Sequence, residues 1–493
     1  MNNLNFLVDV LKESPVFKTL EKNVKPGRTV CASGLSTINK SNIIYALCRL
    51  KGVTAFCLAS DEKEAQTLCN DLSCMGLRAY VYPVRDFNFL DFQSRSHEYE
   101  HARLKVLLKL LNHECDVAIA CVDAAAQLTV PRNVLEQSVI EFEEGRELSL
   151  EKATKALTLL GYERFDAVEG SGQFSLRGGI LDFFMPDSDY PVRCEFWGDE
   201  ITDLSYFDIE TQRRFKKADK ITLSPSTEIV IEDRAALADK IEHKAKLLRS
   251  KNSAKAKEKL FSEAELIRSG AMIANADKFI NQIYDKPESL FDYLDRNTLV
   301  FASEFTAIQE RGKSMDFISN ETLMQGFEDG TLCRGFDRFA LTFNECTEFL
   351  QSHGTIVLEN FVHGSMPIKL SEIISFSTKQ LSAWGGSYKQ LKEDVDGLFT
   401  PESKGVIFAG TERAAKNLCD TFNADGINAV YSEGADKISK GELLVMQGAL
   451  SAGFEYPSQK FFAITYSQVS YRPEKSKKKK KKTGQEIYSL SEL

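Results

Sequence analysis

Lys40 and Ser41 close a run, SGLSTINKSN (residues 33–42), that carries most of a phosphate-binding loop. The signature G-x-x-x-x-G-K-[ST] wraps backbone around phosphates, adds a lysine for their outer oxygens and a hydroxyl for Mg²⁺. Gly34, Lys40 and Ser41 stand at the required spacing, but Asn39 occupies the second glycine position. A side chain there crowds backbone that must approach the anion closely. The run reads either as a nucleotide site or as a strand-to-helix turn that has kept part of one. ATPases of this kind also need an acidic pair at a strand end, one carboxylate for Mg²⁺ and one to position the attacking water. The best strand end, LVFASEF (299–305), offers Ser303 and Glu304. Serine lacks the carboxylate that a hard cation prefers. Asn39 and Ser303 are separate losses, and both point to an ATPase framework without its chemistry. An active DNA-dependent NTPase that tolerates Asn39 is the alternative.

A second constellation lies in PVRCEFWGDE (191–200). Read as a strand, it puts Val192, Cys194 and Phe196 on one face and Arg193, Glu195 and Trp197 on the other. The first set suits a core. Arginine and tryptophan, on the second, are the side chains most enriched in binding hot spots. Arg177, in SLRGG, can join them from a neighbouring strand; the competing reading is a solvated face with one half-buried tryptophan. His363, in ENFVHGSMP, has no partner acid nearby in the sequence and reads as structural. No cysteine or histidine cluster has zinc spacing, so no metal site is expected.

The elements that would position these residues follow from pattern. Between residues 28 and 130, the apolar runs TAFCLAS, AYVYP and VAIACV alternate with helical stretches, which implies a doubly wound parallel sheet. The first 17 residues read as one short amphipathic helix. From Phe174 to Phe207 four strand-like segments follow one another without helices, an antiparallel meander in a separate module. Residues 233–280 are rich in Ala, Lys, Glu and Leu and should be helical. RNTLVFASEF, GTIVLENF and EIISFST return to buried strands. After residue 400 a second small alternating block follows, and WGGSYKQL (384–391) reads as a turn and a helix start.

Bulk properties bound the function. The 493 residues suffice for about three or four domains, and 43% hydrophobic with 27% charged residues is ordinary for a globular protein. A net charge of −9 argues against a chain that coats nucleic acid as a whole. The lysine run at 477–482 reads as part of a charged linker, with polyanion contact as its alternative. Eleven cysteines without a C-x-x-C pair suit free buried thiols in a reducing cytosol. No apolar run approaches a membrane span, and no signal peptide opens the chain.

The stretch FSLRGGILDFFMPDSDYPVRCEFWGDEITDLSYFDIETQRR (174–214) resembles the second domain of bacterial transcription-repair coupling factors, the Mfd family, and a similar domain of the excision-repair protein UvrB. Arg177, Gly178, Asp182, Pro186, Arg193, Glu195, Phe196, Asp199, Glu200, Phe207, Asp208, Thr211, Gln212 and Arg213 carry the likeness. The segments 82–111, 289–305 and 448–469 are similar to the first and third domains of that family, in the same order. The resemblance implies a degenerate RecA-like (P-loop NTPase-type) α/β domain over 1–130 and 231–398, with a β-rich UvrA-binding domain inserted at 131–230. A small separate α/β domain would occupy 399–470, and 471–493 would be a linker toward an RNA-polymerase-interacting domain. It implies a non-catalytic adaptor, the N-terminal portion of a longer protein, that docks UvrA through Arg177, Arg193 and Trp197. The family commonly has Phe where Trp197 stands. ATP and Mg²⁺ would serve motor domains elsewhere in such a protein, as would contacts with DNA and RNA polymerase, and this chain would need no cofactor. Family members hide the UvrA-binding face behind a C-terminal domain, so this chain alone would bind UvrA constitutively. The sequence shows no extended, aromatic-rich hairpin insertion after the loop at Gly34, so direct damage probing is not expected, and a cytoplasmic location without membrane contact is.

Overall fold

The computed structural model describes residues 4–85, 98–138, 140–249, 253–270, 276–361, 366–385 and 387–466. His363, the lysine run and part of the segment 82–111 lie outside them. The chain opens with two helices, Asn5–Lys12 and Pro15–Asn23, where a single one is expected. The break follows from the sequence: the Ser14 side chain accepts the Phe17 N–H, and Pro15 starts a new first turn.

Four strands follow: β1 (Val30–Ser33), β2 (Ala55–Ala59), β3 (Ala79–Tyr82) and β4 (Val117–Cys121). An insertion then contributes β5 (Ile140–Glu143), β6 (Glu163–Arg164), β7 (Gln173–Arg177), β8 (Ile180–Phe183), β9 (Val192–Trp197), β10 (Glu200–Phe207), β11 (Arg214–Lys217) and β12 (Lys220–Leu223). The chain returns to the first layer with β13 (Leu299–Ser303), β14 (Thr355–Leu358) and β15 (Glu372–Ser375). The last block supplies β16 (Lys379–Leu381), β17 (Lys404–Phe408), β18 (Ala429–Ser432), β19 (Glu442–Met446), β20 (Gly453–Tyr456) and β21 (Phe461–Thr465).

The first sheet runs β15-β1-β14-β13-β2-β4-β3, with every neighbouring pair parallel. Helices cover both faces, which is why β1, β2 and β4 are buried throughout and apolar at every position but Ser33. The insertion folds as the sheet β11-β10-β9-β8-β7-β6, antiparallel except for β6 beside β7, with a β5/β12 pair alongside. Its return to the first layer is fixed by a buried ion pair: Arg103 Nε donates to Glu228 Oε1 at 2.6 Å. The expected class therefore stands: α/β, with a parallel-sheet domain, an inserted antiparallel β-rich domain and a further small α/β unit.

That last unit has its own sheet, β16-β20-β21-β17-β19-β18. It starts earlier than the expected boundary at 399. Strand β16 pairs antiparallel with β20, and Leu391 and Val395 of helix Tyr388–Leu398 lie in the core beneath this sheet. Its other face packs on the first domain, where Phe408, Met446 and Phe461 share a core with Ile38 and Ile44 of helix Thr37–Lys51. Asp71, fully buried, accepts the Ser451 N–H and hydroxyl at 2.7 Å each and ties the two layers polar group to polar group. All eleven cysteines are free.

Candidate functional site

The phosphate-loop residues sit at the carboxyl end of the parallel sheet, the edge where open α/β sheets bind ligands. There β1 leads through Gly34 into helix Thr37–Lys51, and β13 and β14 end beside it at Ser303 and Leu358. The structure brings Gly34, Asn39, Lys40, Ser41, Ser303 and Glu304 together, as the sequence pairing of the two motifs requires. Each of them is held by groups of the protein itself.

Lys40 is 2% exposed, and its ammonium faces inward. It donates to Glu304 Oε1 at 2.6 Å, Ser303 Oγ at 2.9 Å and Glu64 Oε1 at 3.2 Å. Ser303 in turn donates to Glu64 Oε1 at 2.5 Å, and Ser60 gives its N–H and hydroxyl to the other Glu64 oxygen. Burial alone would raise the Glu64 pKa; Lys40 and these hydrogen bonds outweigh it and hold the carboxyl below its usual range. Two backbone donors of the loop are spent as well. Gly34 and Leu35 give their N–H groups to the carbonyls of Asn360 and Glu359 at 3.1 Å. Gly34 has φ +78°, and a Cβ there would stand 2.2 Å from the Phe376 carbonyl oxygen, so the strand-crossing segment 376–378 lies directly on the loop. The Thr378 hydroxyl donates to the Gly34 carbonyl at 2.7 Å. Asn39 accepts from the Ser36 hydroxyl, and Ser41 donates to Thr37 and Asp71. The lysine, the Ser41 hydroxyl and the Gly34 and Leu35 amides are each engaged by protein groups.

Sequence reasoning missed Glu64 and Glu359. Glu359 is fully buried beyond β14, accepts the Phe305 N–H at 2.8 Å, and has its pKa pushed up to about 7, first by burial and further by the Glu304 charge. The folded chain thus keeps a proton that the unfolded chain releases near 4.5. Buried Asp71, pushed up to about 6 by burial, acts in the same direction. Between those values the folded state binds more protons, so stability falls as pH rises from about 4.5 to about 7. Glu359→Gln should flatten that slope and stabilise the chain at pH 8 by on the order of 2 kcal/mol. Urea unfolding at pH 5 and pH 8 checks this; an unchanged slope in the variant contradicts it.

The second constellation lies on one face of the inserted sheet. Val192, Cys194 and Phe196 point into its core, and Arg193, Glu195 and Trp197 point away, as alternation requires. Trp197 ends β9 at a tight turn through Gly198 (φ +63°) and is 82% exposed. Arg177 ends β7 at the Gly178–Gly179 turn, its side chain half exposed. The second glycine is required because a Cβ on Gly179 would meet the Phe196 carbonyl at 2.7 Å. Arg193 is set deeper, with 13% of its side chain exposed. It grips Asp182 with two nitrogens at 2.7 Å each, and Arg177 reaches the same carboxylate at 2.9 Å. Glu195 is paired with Arg214, which also reaches Asp203. Asp182 and Gln212 are the further residues here; both fit the motif in the sequence, but only the strand register shows what they hold. Among the described residues no group of three or more His, Cys, Asp or Glu side chains is placed to hold a metal ion, and no helix is long and apolar enough to cross a membrane.

Residues 140–229, which contain this face, match the UvrB interaction domain family. The chain is 26% identical over 98% of its length to the transcription-repair-coupling factor of Bacillus subtilis, and it covers 42% of that protein. The chain is similar throughout to the N-terminal region of transcription-repair-coupling factors. The Staphylococcus epidermidis factor is 25% identical over 84% of the chain, and a Staphylococcus aureus factor 22% over 99%. The chain thus spans about two fifths of the coupling factors it matches. The UvrB interaction match falls inside the segment 131–230 expected to form the inserted domain.

Proposed function

We propose that this chain is a non-catalytic docking module for UvrA, acting in transcription-coupled excision repair as part of a coupling factor. What supports docking is an exposed tryptophan beside a half-exposed arginine on a rigid sheet face, inside a domain matched to a UvrB interaction family. What supports the absence of catalysis is Lys40, whose ammonium is neutralised by Glu64 and Glu304 within the fold. In a coupling factor, ATP-driven movement on DNA and contact with RNA polymerase would then fall to regions outside the matched two fifths, and UvrA would be brought to lesions that have stalled the polymerase.

The test is a calorimetric titration of purified UvrA into the chain, with and without ATP. Binding of UvrA, with no heat from ATP and Mg²⁺ alone, is the expected result. Mg²⁺-dependent ATP turnover by the chain would replace this reading with that of a DNA-dependent NTPase. Trp197→Ala should weaken UvrA binding by about 2 kcal/mol or more. Its melting temperature should match that of the parent chain, because the indole buries little surface in the free chain. A variant with full affinity would remove this face from the proposal.

A further inference from the structure

Helix Phe305–Asp329 buries Phe305, Ile308, Gly312 and Gly326 and leaves the span between the two glycines largely outside the fold. Every residue from Phe317 to Thr322 is exposed. Phe317, Ile318 and Met324 are 66%, 61% and 58% exposed, a heavy load of bare apolar surface for so short a span. Phe317 and Met324 stand seven positions apart and so share one stripe, with Glu321 between them. Beside that stripe a cavity of about 500 Å³ opens between the helix and the segment 337–345. Met315, Leu323 and Leu341 give it apolar walls, and Asp316, Asp337 and Glu345 give it carboxylates. Arg338, also in the lining, is paired with Glu345 at 2.8 Å. Across residues 305–353, eight Asp and Glu stand against four Lys and Arg. An acidic groove with apolar walls repels nucleic acid and a second copy of itself. It fits a segment that brings cationic heads on apolar stems.

This chain carries such a segment. Residues 467–493 hold eight Lys and Arg against three Glu, which leaves −14 on the rest of a chain of net charge −9. Six of the lysines are consecutive, at 477–482. We propose that this lysine run seats in the groove, its ammonium groups on Asp316, Glu321 and Asp337 and its methylene stems on the stripe of Phe317 and Met324. The groove lies across the first sheet from the last unit. Ile308 and Phe343 belong to the core of one face, and Phe408, Met446 and Phe461 to that of the other. The sixteen residues from Tyr466 to Lys482 reach about 55 Å when extended. A compact body of this size has a radius of gyration of about 22 Å, so the run can pass round the edge of the sheet. Tethering supplies a millimolar effective concentration, so weak and salt-sensitive contacts suffice. Docked, the tail leaves the body beside helix Phe305–Asp329, which sets where whatever follows it in a longer protein would start. Nothing in this contact depends on UvrA.

Zero-length carbodiimide coupling in the full chain tests the contact, because the reagent joins a carboxylate only to an amine already touching it. The expected links run from the lysines at 477–482 to Asp316, Glu321 or Asp337 of the same chain, and salt at about 0.5 M suppresses them. Phe317→Ser combined with Met324→Ser should cut their yield about fivefold. The melting temperature should stay that of the parent, since both side chains are already in water. Changing all six lysines to serine should speed hydrogen exchange of the amides from 316 to 324 by about fivefold or more. Links that scatter over exposed carboxylates elsewhere, or that persist in the double variant, would overturn the proposal. Links between two chains, read from a mixture of ¹⁵N-labelled and unlabelled protein, would do the same by assigning the groove to a second copy. Unchanged exchange in the serine variant would also remove the tail from the groove.

Discussion

Lys40→Met lowers the unfolding free energy of this chain by about 3–5 kcal/mol, the range for removing one member of a buried ion pair. The lysine is 2% exposed and is the charge partner of Glu64 and Glu304, with the Glu359 carboxyl also nearby in the same cleft. Methionine fills the stem but leaves two carboxylates and the Ser303 hydroxyl without their cation. The loss is greater at pH 8 than at pH 5, because the orphaned carboxyls can take up protons only in acid. In a working phosphate loop the same lysine serves the ligand, and its removal ends turnover at little expense to the fold. Denaturant unfolding at both pH values distinguishes the two roles. A variant with the parent midpoint would mean that the ammonium is free for nucleotide after all.

Asp182→Ala costs about 3 kcal/mol of stability and removes UvrA binding. The carboxylate is 1% exposed and joins two guanidinium groups, one of them nearly buried. Truncation leaves Arg193 as a desolvated cation with only the Gln212 acceptors, and most of the cost lies there. The half-exposed Arg177 adds little to stability, since water replaces its bond. Asp182→Asn, which keeps one acceptor oxygen, should fall between. Paired urea titrations and UvrA titrations measure both effects, and a parent-like midpoint in Asp182→Ala contradicts the argument.

The parallel strands were legible because buried central strands are continuous apolar runs, and the alternation in β9 separated core from surface residue by residue. The two motif losses were legible because Asn39 and Ser303 sit at fixed offsets from recognisable neighbours. Glu64 and Glu359 were not. They join Lys40 only when β2 and β14 take their places in the sheet, and no local pattern encodes strand order. Strand β16 escaped for a related reason: three residues carry no periodicity, and its partner β20 lies far along the chain. Alternation places Arg193 on the outer face but gives direction and not depth; the aromatic ring beneath it and the turn beyond it set the depth.

Between β15 and β16 the chain crosses from the first sheet to the last in three residues, 376–378, and these are the ones laid over Gly34. Three residues reach about 10 Å at full stretch. A pull on the terminal unit therefore finds no slack in this connection: besides the packed face and the Asp71–Ser451 bonds, load passes through the Phe376 and Thr378 contacts into the loop at Gly34. If a longer protein pulls on this module, part of the tension arrives at the loop at Gly34, beside the buried Lys40 and its partners Glu64 and Glu304.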